Sequence, residues 1–539
     1  MITIKRAGDA ALLLETGAAV TDGHAGGNGA AAIAVAIRAA GLSGVIDVVP
    51  GAATVLVTFE PGSWPAARLA HRLRELAIAA PTVPASAASE PVVIDTVYEG
   101  PDLAGLAALT GLAEAEIIAR HQAAEYQVGW LGFAPGFGYL TGLDPALAAP
   151  RLDSPRLSVP AGSVAIAGGL AAVYPAASPG GWRLLGRTDA VLWDPGRDPP
   201  ALLAPGQRVR FRAVARLPEP RAPRATDLAH PVSGRWVEVI QPGPLTTVQD
   251  LGRHGLAHLG TPTSGAVDSG SLRLANELVG NEPNDACLEV TLGRLALRFG
   301  FDAVVAVTGA VAPVRLSGAA SAGTADGGTG HAHATAFGVP AGSLLWLGAP
   351  PAGLRSYLAI SGGIAVTPVL GSRSADLLSG LGPTPLRPGQ RLPVGEARSR
   401  PYYRPGARPR TARRAAAASS VPAAVAELRV IAGPRDDWFT AAAMTELASG
   451  SYVVTPASNR SGLRLAGPLL RRLRDTELPS EGMAAGSLQV SHDGQPILLL
   501  ADHPTTGGYP VIGVVVSADL PVAAQLRPGQ HIRFRLVRG

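Results

Sequence analysis

The stretch GSVAIAGG (Gly162–Gly169), followed by SPGGW (Ser178–Trp182) and LLAPGQRVRFR (Leu202–Arg212), returns later as GSLQVSHDG (Gly486–Gly494), TTGGYPVIG (Thr505–Gly513) and QLRPGQHIRFR (Gln525–Arg535). Each copy has a strand entered through Gly-Ser, a Gly-Gly-aromatic turn, and a Pro-Gly turn into an alternating strand. Strict alternation with frequent turns describes half-buried β-strands, not helices or a parallel sheet. The chain is therefore expected to be mainly β, with two related β units. The two Gly-Gly loops are the first place to look for a binding surface.

Working outward, residues 1–80 read as a small α+β unit. Strands are expected at Ala11–Glu15 and Thr54–Glu60, and helices at Ala30–Leu42, with Gly41 as its stop, and Trp64–Ala80. The first β unit spans 91–216 and carries one helical insert, Leu112–Tyr126. A β unit with one helix, Ser269–Asn281, spans 236–399. Its strand-like runs are LEVTLG, LALRF, AVVAVTGA, LLWLG and SYLAISGG. The last β unit spans 427–539. Linkers are read at Pro81–Pro91, Leu217–Gly234 and Arg400–Ser420, the last arginine-rich and expected to be a mobile spacer.

The chain has 539 residues, 47% of them hydrophobic, with 66 Gly and 48 Pro. No apolar run approaches the length of a membrane span, and the N-terminus has no long apolar core of a signal peptide. One cysteine, Cys287, excludes an intrachain disulfide and fits a cytoplasmic setting; among apolar neighbours it is expected in the core. The net charge of +5 comes almost entirely from arginine, since Lys5 is the only lysine. No basic-aromatic sheet pattern accompanies it, so nucleic-acid binding is not expected. A single N-terminal lysine also excludes a Walker-A loop, a Schiff base in the interior and a biotin-carrier lysine.

GWLGFAPGFGYLTGLD (Gly129–Asp144) holds more glycine and proline than a helix or regular strand tolerates. It reads either as the lining of a cleft or as a packed corner between strands. Arg156 is a candidate clamp for a carboxylate or phosphate, or a surface salt bridge. Gly180, Gly181, Gly507 and Gly508 offer consecutive amides for an oxyanion, or simply tight turns. Thr247–Asn281 gathers Asp250, Arg253, His254, His258, Asp268, Asn276 and Asn281. Asp268 is a catalytic carboxylate or a helix cap, with Ser269 as another cap candidate. Asn276 is a polar anomaly in an apolar helix. Glu289, Arg460, His503, Thr505 and Thr506 complete the candidates, with His503 a general acid or base or a turn histidine. The expectation is that Asp268, Asn276, Glu289 and His503 are catalytic, and that Arg156, Arg460 and the Thr-Thr and Gly-Gly loops bind substrate. His331 and His333 lack a third ligand, so no metal site is expected.

LGFAPGFGYL, PR-x-x-VPAGSVAIAG and SPGGWRLLGRT resemble the first allophanate-hydrolase-like family. TVQDLGRHG, SGAVDSGSLRLANELVGN, GSRSADLL, SNRSGLRLAGP, SEGMAAGSLQV and DHPTTGGYPVIGVV resemble the companion second family. The resemblance covers nearly the whole chain outside the linkers. It implies two cyclophilin-like β barrels and a fusion of the kinds called the B and C components of 5-oxoprolinase. Those act with ATP and a separate A component, opening a small anionic lactam, 5-oxoproline, to glutamate. ATP is then held by, or together with, the partner, and a homo-oligomer is compatible. The resemblance leaves two alternatives open. One is a regulator of a histidine kinase, and the other a biotin-dependent carboxyltransferase acting on urea-like amides. The chain departs from the family at SNRSG (Ser458–Gly462), where SNRMG is usual, and at His503, where the pattern has arginine.

Overall fold

The two signature copies occupy matching places in two barrels. In the first, the strands are ordered Arg183–Arg187, Ser163–Ala167, Leu170–Val173, Gly138–Thr141, Tyr126–Leu131, Arg208–Ala213 and Val92–Thr96. A bridge between Val97 and Arg187 joins the two edges. The second closes in the corresponding order: Val511–Val515, Ser487–Val490, Pro496–Leu499, Gly462–Ala466, Tyr452–Val454, His531–Leu536 and Val425–Ala432. Each barrel has one parallel pair at the same point, where the last strand of the signature meets the strand that opens the unit. Val209 and Phe211 in one copy, and Ile532 and Phe534 in the other, point inward and are buried, while the intervening arginines face out. Each such side chain contributes about 1.5–3 kcal/mol by leaving water. Closure also leaves no unpaired sheet edge. The mainly β class and the barrel architecture are as the sequence implied.

The computed structural model describes residues 2–17, 27–80, 90–154, 156–218, 234–318, 329–397, 425–474, 476 and 478–538. The expected spacer Arg400–Ser420 lies outside them. The N-terminal unit is a four-stranded sheet, ordered Thr3–Arg6, Ala11–Glu15, Thr54–Phe59 and Val45–Pro50, under helices Gly27–Ala39 and Ala66–Ala79. Leu69, Leu73 and Ala77 recur every four residues and make the buried face of the second helix. Gly41, at φ +56°, lies just past the first helix, as expected of its stop. Sequence reading missed both outer strands. Thr3–Arg6 is too polar to stand out, and Val45–Pro50 carries a bulge between Val45 and Asp47 that breaks its alternation.

In the first barrel the single expected helix is two. Glu114–Ala123 lies within the expected insert; Leu103–Thr110 precedes it and stops at Gly111, φ +72°. Its run of leucine, alanine and glycine has no polar face to reveal a period. The stretch from Trp236 forms a sandwich: a six-stranded sheet carrying Trp236–Pro242 and Leu295–Phe299 packs on a five-stranded sheet carrying Cys287–Thr291 and Arg355–Ile360. One core draws Val239 and Leu297 from the first sheet and Leu288 and Leu358 from the second. Helix Ser269–Leu278 lies on the outer face of the five-stranded sheet, and its cap is Asp268, not Ser269: the carboxylate accepts from Ser271 N at 2.9 Å. Cys287 is buried in the core under this helix.

The N-terminal unit does not pack only on the barrel that follows it. It docks on the second barrel, almost the length of the chain away. Ser517 donates to Asp9 through backbone and hydroxyl, Arg435 pairs with Glu15 and with the buried Glu481, and Ala52 N donates to Ser480 O at 2.8 Å. Lys5, the sole lysine, reaches Pro434 O at 3.1 Å and both Glu15 and Asp437 at 3.5 Å. No helix among the described residues is long and apolar enough to cross a membrane.

Candidate functional site

Residues Asp502–Gly508 connect most of the residues the sequence singled out. The segment leaves strand Pro496–Leu499 and passes a buried ionic cluster, then a cavity, then the face where the two barrels meet.

At that face the second Gly-Gly loop lies against the aromatic loop of the first barrel. Phe133 N donates to Thr506 Oγ1 at 2.8 Å. A Cβ at Gly132 would lie 2.5 Å from the same oxygen, so only glycine allows this approach. Trp130, Phe137 and Tyr139 are buried, with Trp130 stacked on Tyr139 at 4.5 Å. The loop is thus a packed corner that meets the neighbouring barrel through its backbone and the Tyr139 hydroxyl, 3.5 Å from Thr506 Oγ1. Residues 151–152 bring the two Gly-Gly loops together: Leu152 N donates to Gly181 O at 2.8 Å, and the Arg151 guanidinium sits 3.8 Å from where a Cβ of Gly508 would be. A Cβ at Gly180 would lie 2.2 Å from the Tyr174 hydroxyl. Burial pushes that phenol up to about 12, with the charges of Arg151 and Arg156 acting on it in the other direction, so it remains a hydroxyl donor near neutrality. Two guanidinium groups, a phenol and glycine loops from both barrels converge here, a set of donors suited to a small anion.

Arg156 itself gives one amino group to Asp102 at 2.7 Å, and Asp102 also accepts from Leu184 N. It is a salt-bridged member of the set, not a free clamp. Gly507 pairs with Glu481 in a two-stranded ribbon.

Asp502 anchors the other end of the segment. Arg460, 2% exposed, donates to both its carboxylate oxygens at 2.9 Å, to Gly265 O at 2.6 Å and to Glu289. Glu289 also accepts from Tyr357 Oη at 2.8 Å and Val267 N at 3.1 Å, and Arg355 Nε lies 3.6 Å from it. Asp268 joins through its backbone, which donates to Tyr357 Oη, and its carboxylate takes Ser271 and Gln525. Burial works against the Arg460 charge, but Asp502 and Glu289 outweigh it and hold the guanidinium protonated. Burial raises Asp268, with Ser271 opposing. The charges of Arg460 and Arg355 are matched by those of Asp502 and Glu289, and the cluster ties the sandwich to the second barrel. Arg460 is a tie between these units, not a residue open to a ligand.

Between these ends lies a cavity of about 350 Å³ walled by the N-terminal unit, the sandwich and the second barrel. His503 and Thr505 line one side and Asp47 the other. His503 Nδ1 bonds Pro504 O at 2.8 Å, and burial lowers its affinity for a proton. Asp47, 5% exposed, accepts from Ala257 N at 3.0 Å; burial raises its pKa against backbone donors of the 255–257 loop and the charge of His254.

The structure thus brings Glu289, Asp268 and Arg460 to the strand end carrying His503. It leaves Asn276 apart. The Asn276 amide donates to Asp285 O at 2.7 Å and accepts from Asn281 Nδ2 at 3.0 Å and Cys287 Sγ at 3.2 Å, clamping the loop after its helix. Sequence reasoning missed Arg151, Asp47, Tyr174 and Arg355, each of which reaches its site only through tertiary contacts. No group of three or more His, Cys, Asp or Glu among the described residues is placed to hold a metal.

Comparisons with known proteins agree across the whole architecture. Residues 2–203 match the family model described as carboxyltransferase domain, subdomain C and D, and residues 259–536 match carboxyltransferase domain, subdomain A and B. The 5-oxoprolinase C component of Escherichia coli strain K12 is 39% identical over 303 residues, 55% of this chain and 90% of that protein. The 5-oxoprolinase B component of Escherichia coli O157:H7 is 52% identical over 123 residues, 22% of this chain, and this match spans 56% of that protein. The crystal structure of TTHA0988 superposes with a TM-score of 0.83 at 34% identity, covering 99% of this chain and 100% of that one.

Proposed function

The chain belongs to the carboxyltransferase-domain family, with subdomains C and D preceding A and B, and from that premise we propose that it is the fused B and C component of a cytoplasmic ATP-dependent 5-oxoprolinase. The names of its relatives support a component of an amide-opening hydrolase. The observation that carries the reading is the junction of the barrels, where Arg151, the Tyr174 hydroxyl and glycine loops from both barrels converge. The carboxylate of 5-oxoproline is the group such a site would hold. Fixing the small anion there sets its lactam carbonyl against fixed donors, the arrangement that stabilises developing negative charge best.

The chain offers a nucleotide no lysine. Lys5 is the only lysine, and Glu15, Asp437 and Pro434 O occupy it. ATP is assigned to the separate A component or to its junction with this chain, and the chain's share is to hold and orient the lactam. A second reading, transfer of a carboxyl group from biotin carried on another protein, is favoured by the description of the family model itself.

The test is glutamate formation from 5-oxoproline and ATP, with and without the homologue of the 5-oxoprolinase A component. Turnover is expected only with both proteins. Arg151→Ala should raise KM by about tenfold, the worth of one charge-assisted contact. Turnover by this chain alone, none with the partner, or an unchanged KM would each count against the proposal.

A further inference from the structure

The cavity beside His503 has a composition that the barrel junction lacks. Among the described residues, no lysine or arginine lines it. Its walls come from three units and are mainly apolar, with two carboxylates, two imidazoles and six hydroxyls among them. The carboxylates only accept, the hydroxyls accept or donate, and the charge of His254 in the same wall acts on Asp47. Asp47 offers a carboxylate with one oxygen bound to Ala257 N and lone pairs left over. The partner of His503 Nδ1 is a carbonyl oxygen, which only accepts, so Nδ1 carries the proton and Nε2 of the neutral ring is an acceptor. Thr505, 2% exposed, lines the cavity, and its buried Oγ1 has no hydrogen-bond partner among the described residues. A buried hydroxyl without a partner is costly unless something in the cavity meets it. Asp9, the other acid in the wall, is already held by Ser517.

We infer that this cavity is a second small-ligand site, distinct from the barrel junction, for a compound with an apolar body and an N–H-donating head, an amine or a primary amide, with Asp47 of the N-terminal unit receiving the head. The apolar walls take the body, and Asp47, His503 and Thr505 take the donors. Among the described residues an anion finds no lysine or arginine there, and the one imidazole whose charge is felt, His254, is matched by Asp47. The site is shared between units, since Asp47 comes from one end of the chain and His503 and Thr505 from the other. It does not depend on what the junction binds.

The experiment titrates the full chain with n-butylamine, butyramide and butyrate, by calorimetry and ligand-detected magnetic resonance. The amine or the amide should bind, and butyrate should not. Which of the two binds tells whether the head is cationic or neutral. Asp47→Asn keeps an oxygen for Ala257 N but removes the charge, and should weaken the amine about tenfold. Ala485→Phe fills the rim at an exposed position and should block binding without touching the core. Equal or tighter binding of butyrate, no binding of any probe, or binding indifferent to either variant overturns the inference. Turnover of 5-oxoproline is not among these readouts, so the two proposals fail separately.

Discussion

Replacing Arg460 by methionine tests the buried cluster that joins the sandwich to the second barrel. Arg460 makes three charge-assisted contacts to two carboxylates, two with Asp502 and one with Glu289, and a fourth bond to Gly265 O. Hydrogen bonds to charged groups contribute about 1.5–3 kcal/mol each, so the gross loss is roughly 5–9 kcal/mol. Part is recovered, because Arg355 still faces Glu289 at 3.6 Å and the methionine chain fills much of the volume. Asp502 recovers little. It keeps Ser264 Oγ at 2.7 Å and Leu377 N at 3.2 Å but no hydrogen-bonded cation, the charges of Arg253 and Arg355 acting on it only through space. The net cost should be that of breaking a buried pair, about 3–5 kcal/mol. In calorimetry that is a fall of roughly 6–20 °C in the transition of the C-terminal half. Arg460→Met combined with Asp502→Asn should recover at least half, since Glu289 and Arg355 then remain paired and no lone charge is buried. A single variant that melts within a degree or two of the parent, or a double variant no better than the single, would refute the reasoning.

Asn276→Ala should lower stability by about 2–4 kcal/mol, because it strips partners from Asp285 O, Asn281 and Cys287 while turnover of the folded protein stays unchanged. The sequence reading as a catalytic residue requires the reverse, lost turnover with an unchanged melting temperature, so one pair of measurements separates them. His121 is buried between Tyr98, Tyr126 and Phe211, and burial pushes its pKa down to about 3. Its folded-state value lies below the unfolded one, near 6.5, so its contribution is present above about pH 6.5 and lost as pH falls towards 3. Thermal stability of the first barrel should drop by about 1.4 kcal/mol per pH unit for this group across that window, and His121→Phe should flatten the slope. An identical slope in the variant would show that other groups govern acid lability.

What was legible in the sequence was whatever leaves a local period. The alternation in RVRFR and HIRFR marked the closing strands of both barrels, and the Gly-Gly turns marked corresponding corners. Helix Ser269–Leu278 announced itself through its apolar face. The site was half legible. Glu289 stands in a β-rich run, His503 at the end of an apolar strand and Arg460 in a polar turn, and they do lie together. Their division of labour was not readable, since it depends on Arg355 and Tyr357, whose strand looks like any other buried strand. Arg151 and Arg156 look alike in sequence; only the fold puts Asp102 beside one and Gly508 beside the other. Asp47 was hidden in a strand that was not recognised, and its partner Ala257 lies 210 positions away.

The docking of the N-terminal unit on the second barrel has a consequence for how the polypeptide can be cut. The first and last units touch through Asp9–Ser517, Glu15–Arg435 and Ala52–Ser480, while the first barrel touches the second through Phe133 and Thr506. The order of units in space is therefore a ring, although the covalent chain is open. A ring of contacts has no privileged starting point. The two halves can be encoded as separate polypeptides, or a circular permutant can begin at the second half and end with the first, and the same surfaces still meet. Gene fusion here supplies equal numbers of the two halves and a high local concentration, while the shape of the assembly is written in its interfaces.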